Sequence, residues 1–281
     1  MLRAVDIRTI SGNEGIDAGI IEKDYVLTKT LIALSRDSLF SESLVFKGGT
    51  VLKKCYFPDW RFSEDLDFTS RVKLTSRDIK GLFERTTQTI TDTVGCTMRV
   101  IEYSQYPRKG ENIVSAQLKL GYDGPLQKTS GQKNNIRVDI SLDEQIVEAP
   151  RSVSLIASYQ DDSPCTLVAY SLNEILAEKL RSILQRGKSR DFYDVWALLE
   201  HRRQEFDLPK VWSVFVVKLE SKDLEVPKSV NDFINPMRIR AARDFWRPGI
   251  AHQVRELPAF DTVISELPAV LVSAFGDYLQ K

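Results

Sequence analysis

Between residues 46 and 68 the chain reads FKGGTVLKKCYFPDWRFSEDLDF, and its potential for chemistry lies at two places, Gly48-Gly49-Thr50 and Asp65-Leu66-Asp67. A strand that feeds a glycine turn lets the backbone approach an anion closely, and a helix starting there offers N–H groups to a phosphate. Asp65 and Asp67 are two residues apart, so on a strand both carboxylates point to one face. Like charges that close repel unless a cation lies between them. Hard divalent cations such as magnesium or manganese suit that oxygen-only set, with waters and substrate phosphates completing the shell. A phosphate cradle and a pair of metal ligands in one short unit suit the handling of a nucleoside triphosphate. Each part also has a plainer reading: Gly-Gly-Thr as an ordinary turn, Asp-x-Asp as a solvated strand edge.

A third carboxylate, Asp139, sits in IRVDIS between Val138 and Ile140, where an acid between apolar neighbours faces the more polar side. Beside the Asp65–Asp67 strand it would allow three carboxylates to hold two metals, the arrangement that stabilises attacking and leaving oxygens in phosphoryl transfer. A half-exposed strand position explains it equally well. Further on, Glu178, Lys179 and Arg181 precede a basic run of Arg186, Lys188 and Arg190. Residues 178–203 hold seven Lys or Arg against four Asp or Glu. That excess suits a triphosphate or an RNA backbone; solvated helix faces carry similar charges. Asp191 fits the start of a helix as a cap, and Asp194 is placed to orient Lys179 or Arg186. Tyr193 and Trp196 are candidates for base stacking or for core. Arg238, Arg240, Arg243 and Arg247 beside Phe245 and Trp246 form a second basic cluster, suited to single-stranded RNA or to a solvated helix face.

The elements that position these residues are legible from periodicity. Residues 20–36 place apolar side chains on one helical stripe. Leu44–Lys47 reads as a strand, residues 51–57 as a short helix, residues 65–68 as a two-faced strand and 77–94 as a helix. Strands are expected at 97–103, 114–122 and 135–142, with DGPLQKTSGQKNN between the last two as a hairpin loop. SLNEILAEKLRSIL opens on a Ser171/Glu174 capping box and continues with leucine and isoleucine at helical spacing. Gly187 ends that helix, Ser189 is placed to cap the next, and helical patterns recur at 208–220 and 259–280. The expected class is α/β (α+β): a sheet domain over residues 1–162, then a mostly helical region over 163–281, joined near SYQDDSPC at 158–165.

Composition narrows the possibilities. With 281 residues, 42% hydrophobic and 28% charged, the chain has the make-up of a globular protein with a core. No apolar run reaches the ~20 residues that cross a bilayer, and MLRAVDIRTISGNEG lacks the pattern of a secretion signal, so neither a membrane span nor secretion is expected. Three scattered cysteines and two histidines exclude a disulfide framework and a histidine metal cage; a reducing cytoplasm is the expected setting. Basic and acidic residues balance at 39 each, so a nucleic-acid surface has to be a local patch.

GGTVLKK…RFSEDLDF, with EKDY upstream, IRVDIS in the middle and AEKLRSILQRGKSRDFYDV downstream, resembles the AbiEii-type nucleotidyltransferases. These are the toxins of type IV toxin–antitoxin systems, called the MenT group in mycobacteria. The matching blocks run from about residue 22 to about residue 200. The resemblance implies a polymerase-β-like nucleotidyltransferase fold whose helical region completes the nucleotide and acceptor cleft. It also implies Mg2+ (or Mn2+) dependence, a nucleoside triphosphate substrate, transfer to tRNA or another RNA acceptor, and a cognate antitoxin encoded nearby. Gly49 and Thr50 take the family's Gly-Ser position, with Gly48 beside them, and Asp65 and Asp67 match its metal-binding aspartates. Asp139 joins them as a third candidate metal ligand. Lys179 matches a lysine expected on the nucleotide phosphates, with Arg181 next to it. Asp191 or Asp194 matches the acid of the last motif; Asp194 stands with the catalytic set, Asp191 and Arg190 as further candidates. Threonine replaces serine at position 50, and fourteen residues separate Thr50 from Asp65, which makes the loop 57–63 distinctive. Glu22, Lys23 and Asp24 carry the family pattern without an evident chemical role. Two other readings stand beside this one: a different metal-assisted phosphoryl transfer, for example to a protein, and a non-catalytic nucleotide-binding regulator.

Overall fold

The computed structural model describes residues 1–107, 113–127 and 134–279. In chain order its principal elements are α1 (Ala4–Glu14), α2 (Ala18–Leu34), α3 (Ser38–Ser43), β1 (Leu44–Lys47) and α4 (Gly48–Val51), which runs on as a π-helical turn over Leu52–Tyr56. There follow β2 (Asp65–Ser70), α5 (Ser76–Val94), β3 (Thr97–Pro107), β4 (Ile113–Asp123), β5 (Asn135–Ser141), β6 (Arg151–Ser154) and β7 (Thr166–Ala169). The remainder is helical: α6 (Leu172–Gln185), α7 (Ser189–His201), α8 (Leu208–Glu220), α9 (Pro236–Asp244), α10 (Trp246–Ile250) and α11 (Phe260–Phe275).

The chain divides into two compact units. The first comprises Met1–Ile146 and Pro150–Tyr170, the second Val147–Ala149 and Ser171–Lys281. The first unit holds a mixed seven-stranded sheet in the order β3-β4-β5-β2-β1-β7-β6. Pairs β1–β7 and β2–β5 are parallel, the other neighbours antiparallel. Alternation sets the two faces. Leu66 and Phe68 of β2 and Ile136, Val138 and Ile140 of β5 are buried, while the intervening Asp65, Asp67, Arg137 and Asp139 stay accessible. The apolar face is capped by aromatic contacts such as Phe40 edge-on to Phe68 at 5.4 Å, and by α5, which packs on β3, with α2 packed on α5.

Several expected elements differ in a physically informative way. The segment 158–165, read as a junction, is anchored in the first unit: Lys29 bonds Asp161 and Asp162, and Tyr159 bonds Asp24. The unit boundary falls at Tyr170–Ser171, after β7. Ser171 caps α6, accepting from the Glu174 N–H at 3.1 Å. The Glu174 carboxylate, however, accepts from the N–H groups of Val147 and Glu148, both at 2.9 Å, and pairs with Lys218 at 2.7 Å, so it does not close the expected box. Lys188, not Ser189, is the N-cap of α7; the Ser189 hydroxyl donates to the Ala242 carbonyl. Strands β4 and β5 pair antiparallel as the expected hairpin requires, and residues 128–133 of its loop lie outside the described residues.

Candidate active site

In the first unit, β1, β2, β5 and β4 are neighbours, and strand register brings their polar side chains into one row. Asp67 lies opposite Lys47 on one side and Asp139 on the other; Asp139 in turn lies opposite Gln117. Asp65 lies opposite Arg137. The three expected carboxylates therefore share one sheet face.

That face is compensated from within. The Arg137 Nη2 donates to Asp65 Oδ2 at 2.9 Å, and its Nε lies 3.0 Å from Asp139 Oδ2. The Gln117 amide donates to the other Asp139 oxygen at 2.7 Å. Partial burial pulls the Arg137 pKa down, but the charges of Asp65, Asp139 and Asp67 and the Asp65 hydrogen bond outweigh it, leaving the pKa above the ordinary arginine value. Lys47 is buried, bonds Ser141 and Glu144, and lies 5.7 Å from the Tyr170 ring centroid.

The glycine turn meets this face directly. Gly48 adopts φ +81°, in the left-handed region that favours glycine, and a Cβ there would run into the Asp67 carboxylate. Gly49 and Thr50 are buried. The Thr50 hydroxyl donates to the Asp65 carbonyl at 2.5 Å, tying the turn to the first residue of the acidic strand. Downstream, Lys53 bonds the carbonyls of Pro58 and Trp60 and sits 4.0 Å over the Phe62 ring. Burial lowers its pKa despite the opposing pull of Asp24. The loop 57–63 is thus a packed aromatic segment, with Phe57, Trp60 and Phe62 all buried.

Helix α2 explains the EKDY motif residue by residue. Glu22, buried, accepts from the Leu126 N–H and the Asn134 amide on the segments flanking the β4–β5 connection. Lys23 pairs with Glu64, next to Asp65, at 2.8 Å. Asp24 pairs with the buried Lys54 at 2.5 Å and accepts the Tyr159 hydroxyl at 2.7 Å. Tyr25 donates to Asp161 at 2.8 Å. Each links a separate segment of the unit to one rigid helix.

Within the second unit, Lys179 lies 2.7 Å from Asp194, whose side chain is completely buried. Asp191 accepts a two-pronged contact from Arg186 at 2.9 Å and the N–H of the N-cap Lys188 at 3.0 Å, closing the capping box of α7 from its first turn. Arg181 is buried on α6 and engages Gln185 at 2.7 Å and Glu178 at 3.8 Å. Arg190 lines a cavity of about 390 Å³ with Arg186, Lys188 and the exposed Phe245. Of the aromatic candidates, Trp196 is buried with its indole N–H on Glu266, and Trp246 is buried with its N–H on the Pro258 carbonyl. Arg243 pairs with Asp261.

Among the described residues, no three His, Cys, Asp or Glu side chains converge into a ready metal cage. The chemistry of Asp65, Asp67 and Asp139 nonetheless fits a hard divalent cation: oxygen donors only, on adjacent registered strands, already drawing a cation, Arg137, between two of them. Sequence reasoning missed Arg137, Lys47 and Gln117. Arg137 carried a signal, since it precedes Asp139 by two residues and so shares its face.

No helix of the described residues is long and apolar enough to cross a membrane. A family model described as nucleotidyl transferase AbiEii toxin, type IV TA system, matches residues 32–269. Among solved structures, the chain is similar to MenT4, the nucleotidyltransferase toxin Rv2826c from Mycobacterium tuberculosis H37Rv. The TM-score is 0.67 at 19% identity, over 99% of this chain and 92% of that one. A search of curated proteins finds no match.

Proposed function

Because the chain belongs to the AbiEii nucleotidyltransferase toxin family of type IV toxin–antitoxin systems, we propose that it transfers a nucleoside monophosphate from a nucleoside triphosphate to an RNA acceptor, with tRNA the leading candidate. The observation that carries this reading is the meeting of the Gly48 turn with Asp67 on a face shared by Asp65 and Asp139. Asp65, Asp67 and Asp139 would hold Mg2+ or Mn2+, which when bound neutralises triphosphate charge as the phosphorus centre is attacked.

The chain's own groups do the rest. Gly48, with no Cβ, leaves Asp67 its place and lets the backbone approach a phosphate. Thr50 fixes the start of β2 through the Asp65 carbonyl. One carboxylate accepts the proton of the acceptor hydroxyl as its oxygen attacks the α-phosphorus; the α–β phosphoanhydride bond breaks and pyrophosphate leaves. Lys179, paired with Asp194 within the second unit, matches the lysine that the family resemblance assigns to the nucleotide phosphates. Rate enhancement then comes from positioning and charge compensation. Membership in a type IV system implies an antitoxin partner, and the cytoplasm is the compartment where such an RNA acceptor would be met.

Incubating the full chain with tRNA, Mg2+ and each labelled triphosphate in turn tests this. Label in RNA accompanied by pyrophosphate supports the proposal; label on protein instead supports phosphoryl transfer to a protein. Binding of triphosphate without transfer to either leaves only a regulator. Growth arrest that persists on induction of an Asp67→Ala variant would contradict catalytic toxicity.

A further inference from the structure

We propose that Arg137 is an internal counter-cation that competes with the divalent metal for the acidic face, so that metal binding requires its release. The proposal rests on the reading of Asp65, Asp67 and Asp139 as metal ligands, and adds a control that the reading does not contain.

The geometry is specific. Nη2 and Nε lie along one edge of a guanidinium. Here that edge is divided between two carboxylates, Asp65 Oδ2 at 2.9 Å and Asp139 Oδ2 at 3.0 Å, rather than closing bidentately on one. Two carboxylate oxygens from adjacent strands thus converge on a single cation, as they would on a metal ion. The donors come from β5 itself: Arg137 faces Asp65 across the parallel pair β2–β5 and precedes Asp139 by two residues. All three side chains are partly accessible, 45% for Arg137, 22% for Asp65 and 36% for Asp139, so the guanidinium has solvent to move into. A divalent ion taking these oxygens meets the guanidinium's positive charge at close range, so metal and both N–H contacts compete for the same electron-rich face.

The consequence is a threshold. Without metal, Arg137 keeps the carboxylates from repelling one another and holds the strands' acidic ends in register. Metal enters only by exceeding the two ion pairs. Partly exposed pairs are individually weak, so the threshold is modest, roughly three- to tenfold in metal affinity.

The test is Mn2+ binding to the full chain without nucleotide, read from the electron paramagnetic resonance signal of free Mn2+. Arg137→Gln is expected to bind Mn2+ roughly three- to tenfold more tightly than wild type. Asp67→Asn weakens binding in either background. Arg85→Gln removes another partly exposed arginine, one that pairs with Asp37 away from the acidic face, and leaves the affinity unchanged. The proposal is overturned if Mn2+ binds an Asp67-dependent site equally well in wild type and Arg137→Gln, or if Arg85→Gln tightens binding as much as Arg137→Gln. If neither wild type nor Arg137→Gln has an Asp67-dependent Mn2+ site, the metal-ligand reading itself fails, a separate and distinguishable outcome. Circular dichroism of every variant, the Asp67→Asn/Arg137→Gln double included, checks that each is folded.

Discussion

Gly48 and Gly95 form a natural controlled pair. Both adopt a left-handed backbone, φ +81° and +73°, yet a Cβ at Gly95 would meet nothing within 4 Å whereas one at Gly48 would strike Asp67. Gly95→Ala therefore carries only the left-handed cost, about 1–2 kcal/mol. Gly48→Ala carries that cost plus overpacking against Asp67 Cβ and Cγ, each 2.9 Å from the added carbon, on the order of 1–3 kcal/mol more. The carboxylate can escape only by leaving its place, and a shift of about 1 Å in a reacting site costs on the order of a hundredfold in rate. Urea unfolding gives the stabilities, and pyrophosphate release from triphosphate and RNA gives the activities. The expected pattern is a Gly95→Ala protein that is slightly less stable and fully active, and a Gly48→Ala protein that is both less stable and at least about a hundredfold slower. Equal stability losses with turnover preserved in Gly48→Ala would show that the turn and Asp67 are not coupled.

Three further expectations follow from other parts of the molecule. Lys54 is completely buried against Asp24, so Lys54→Met, which strands a buried carboxylate, should cost about 3–5 kcal/mol in urea unfolding; Asp24→Asn added to it should recover part of that loss. Burial pushes the Asp161 carboxyl up, but hydrogen bonds from Lys29 and Tyr25 and the charge of Lys29 pull it below the usual carboxylate value. Asp161 thus contributes stability above the unfolded-state value of about 3.9, and loses it as pH falls through the lower folded value. Asp161→Asn should be less stable than wild type by a constant amount above about pH 5, the gap closing toward pH 3; a gap that widened with acid would reverse the sign. Finally, Lys179→Met and Asp194→Asn should each raise KM for the triphosphate, and the double variant should be no worse than the worse single one, because Asp194 acts through Lys179. Fully additive losses would assign Asp194 an independent role.

The two-faced character of β2 was legible because alternation needs only local sequence: Asp65 and Asp67 separate from Leu66 and Phe68 by period alone. The same logic raised Asp139. What period cannot supply is register. The pairing of Asp67 with Asp139 and of Asp65 with Arg137 joins strands distant in the chain, and a slip of one residue would turn the carboxylates to opposite faces. The Arg137–Asp65 pair was hidden for that reason, its members lying on different strands, whereas the two-residue spacing of Arg137 and Asp139 on β5 was readable. Capping was half legible: Ser171 behaves as its residue type predicts, but Glu174 is drawn away by buried Lys218 and two N–H groups, a tertiary demand that no local pattern carries. The EKDY residues stood out as a pattern while their purpose stayed obscure, because each of their partners, Glu64, Lys54, Asp161 and the residues flanking the β4–β5 loop, belongs to a different segment. Short β6 and β7 were missed since four residues give too little periodicity to separate strand from loop.

The central claim is that the Asp65–Asp67–Asp139 face is a metal-dependent transfer centre. Pyrophosphate release by the full chain, measured against Mg2+ concentration in wild type and in Asp67→Asn, tests it most directly. The account predicts saturable Mg2+ dependence in wild type and a loss on the order of a hundredfold or more in the variant, with the circular dichroism spectrum unchanged. Turnover in Asp67→Asn equal to wild type, at the same Mg2+ concentration, would contradict it.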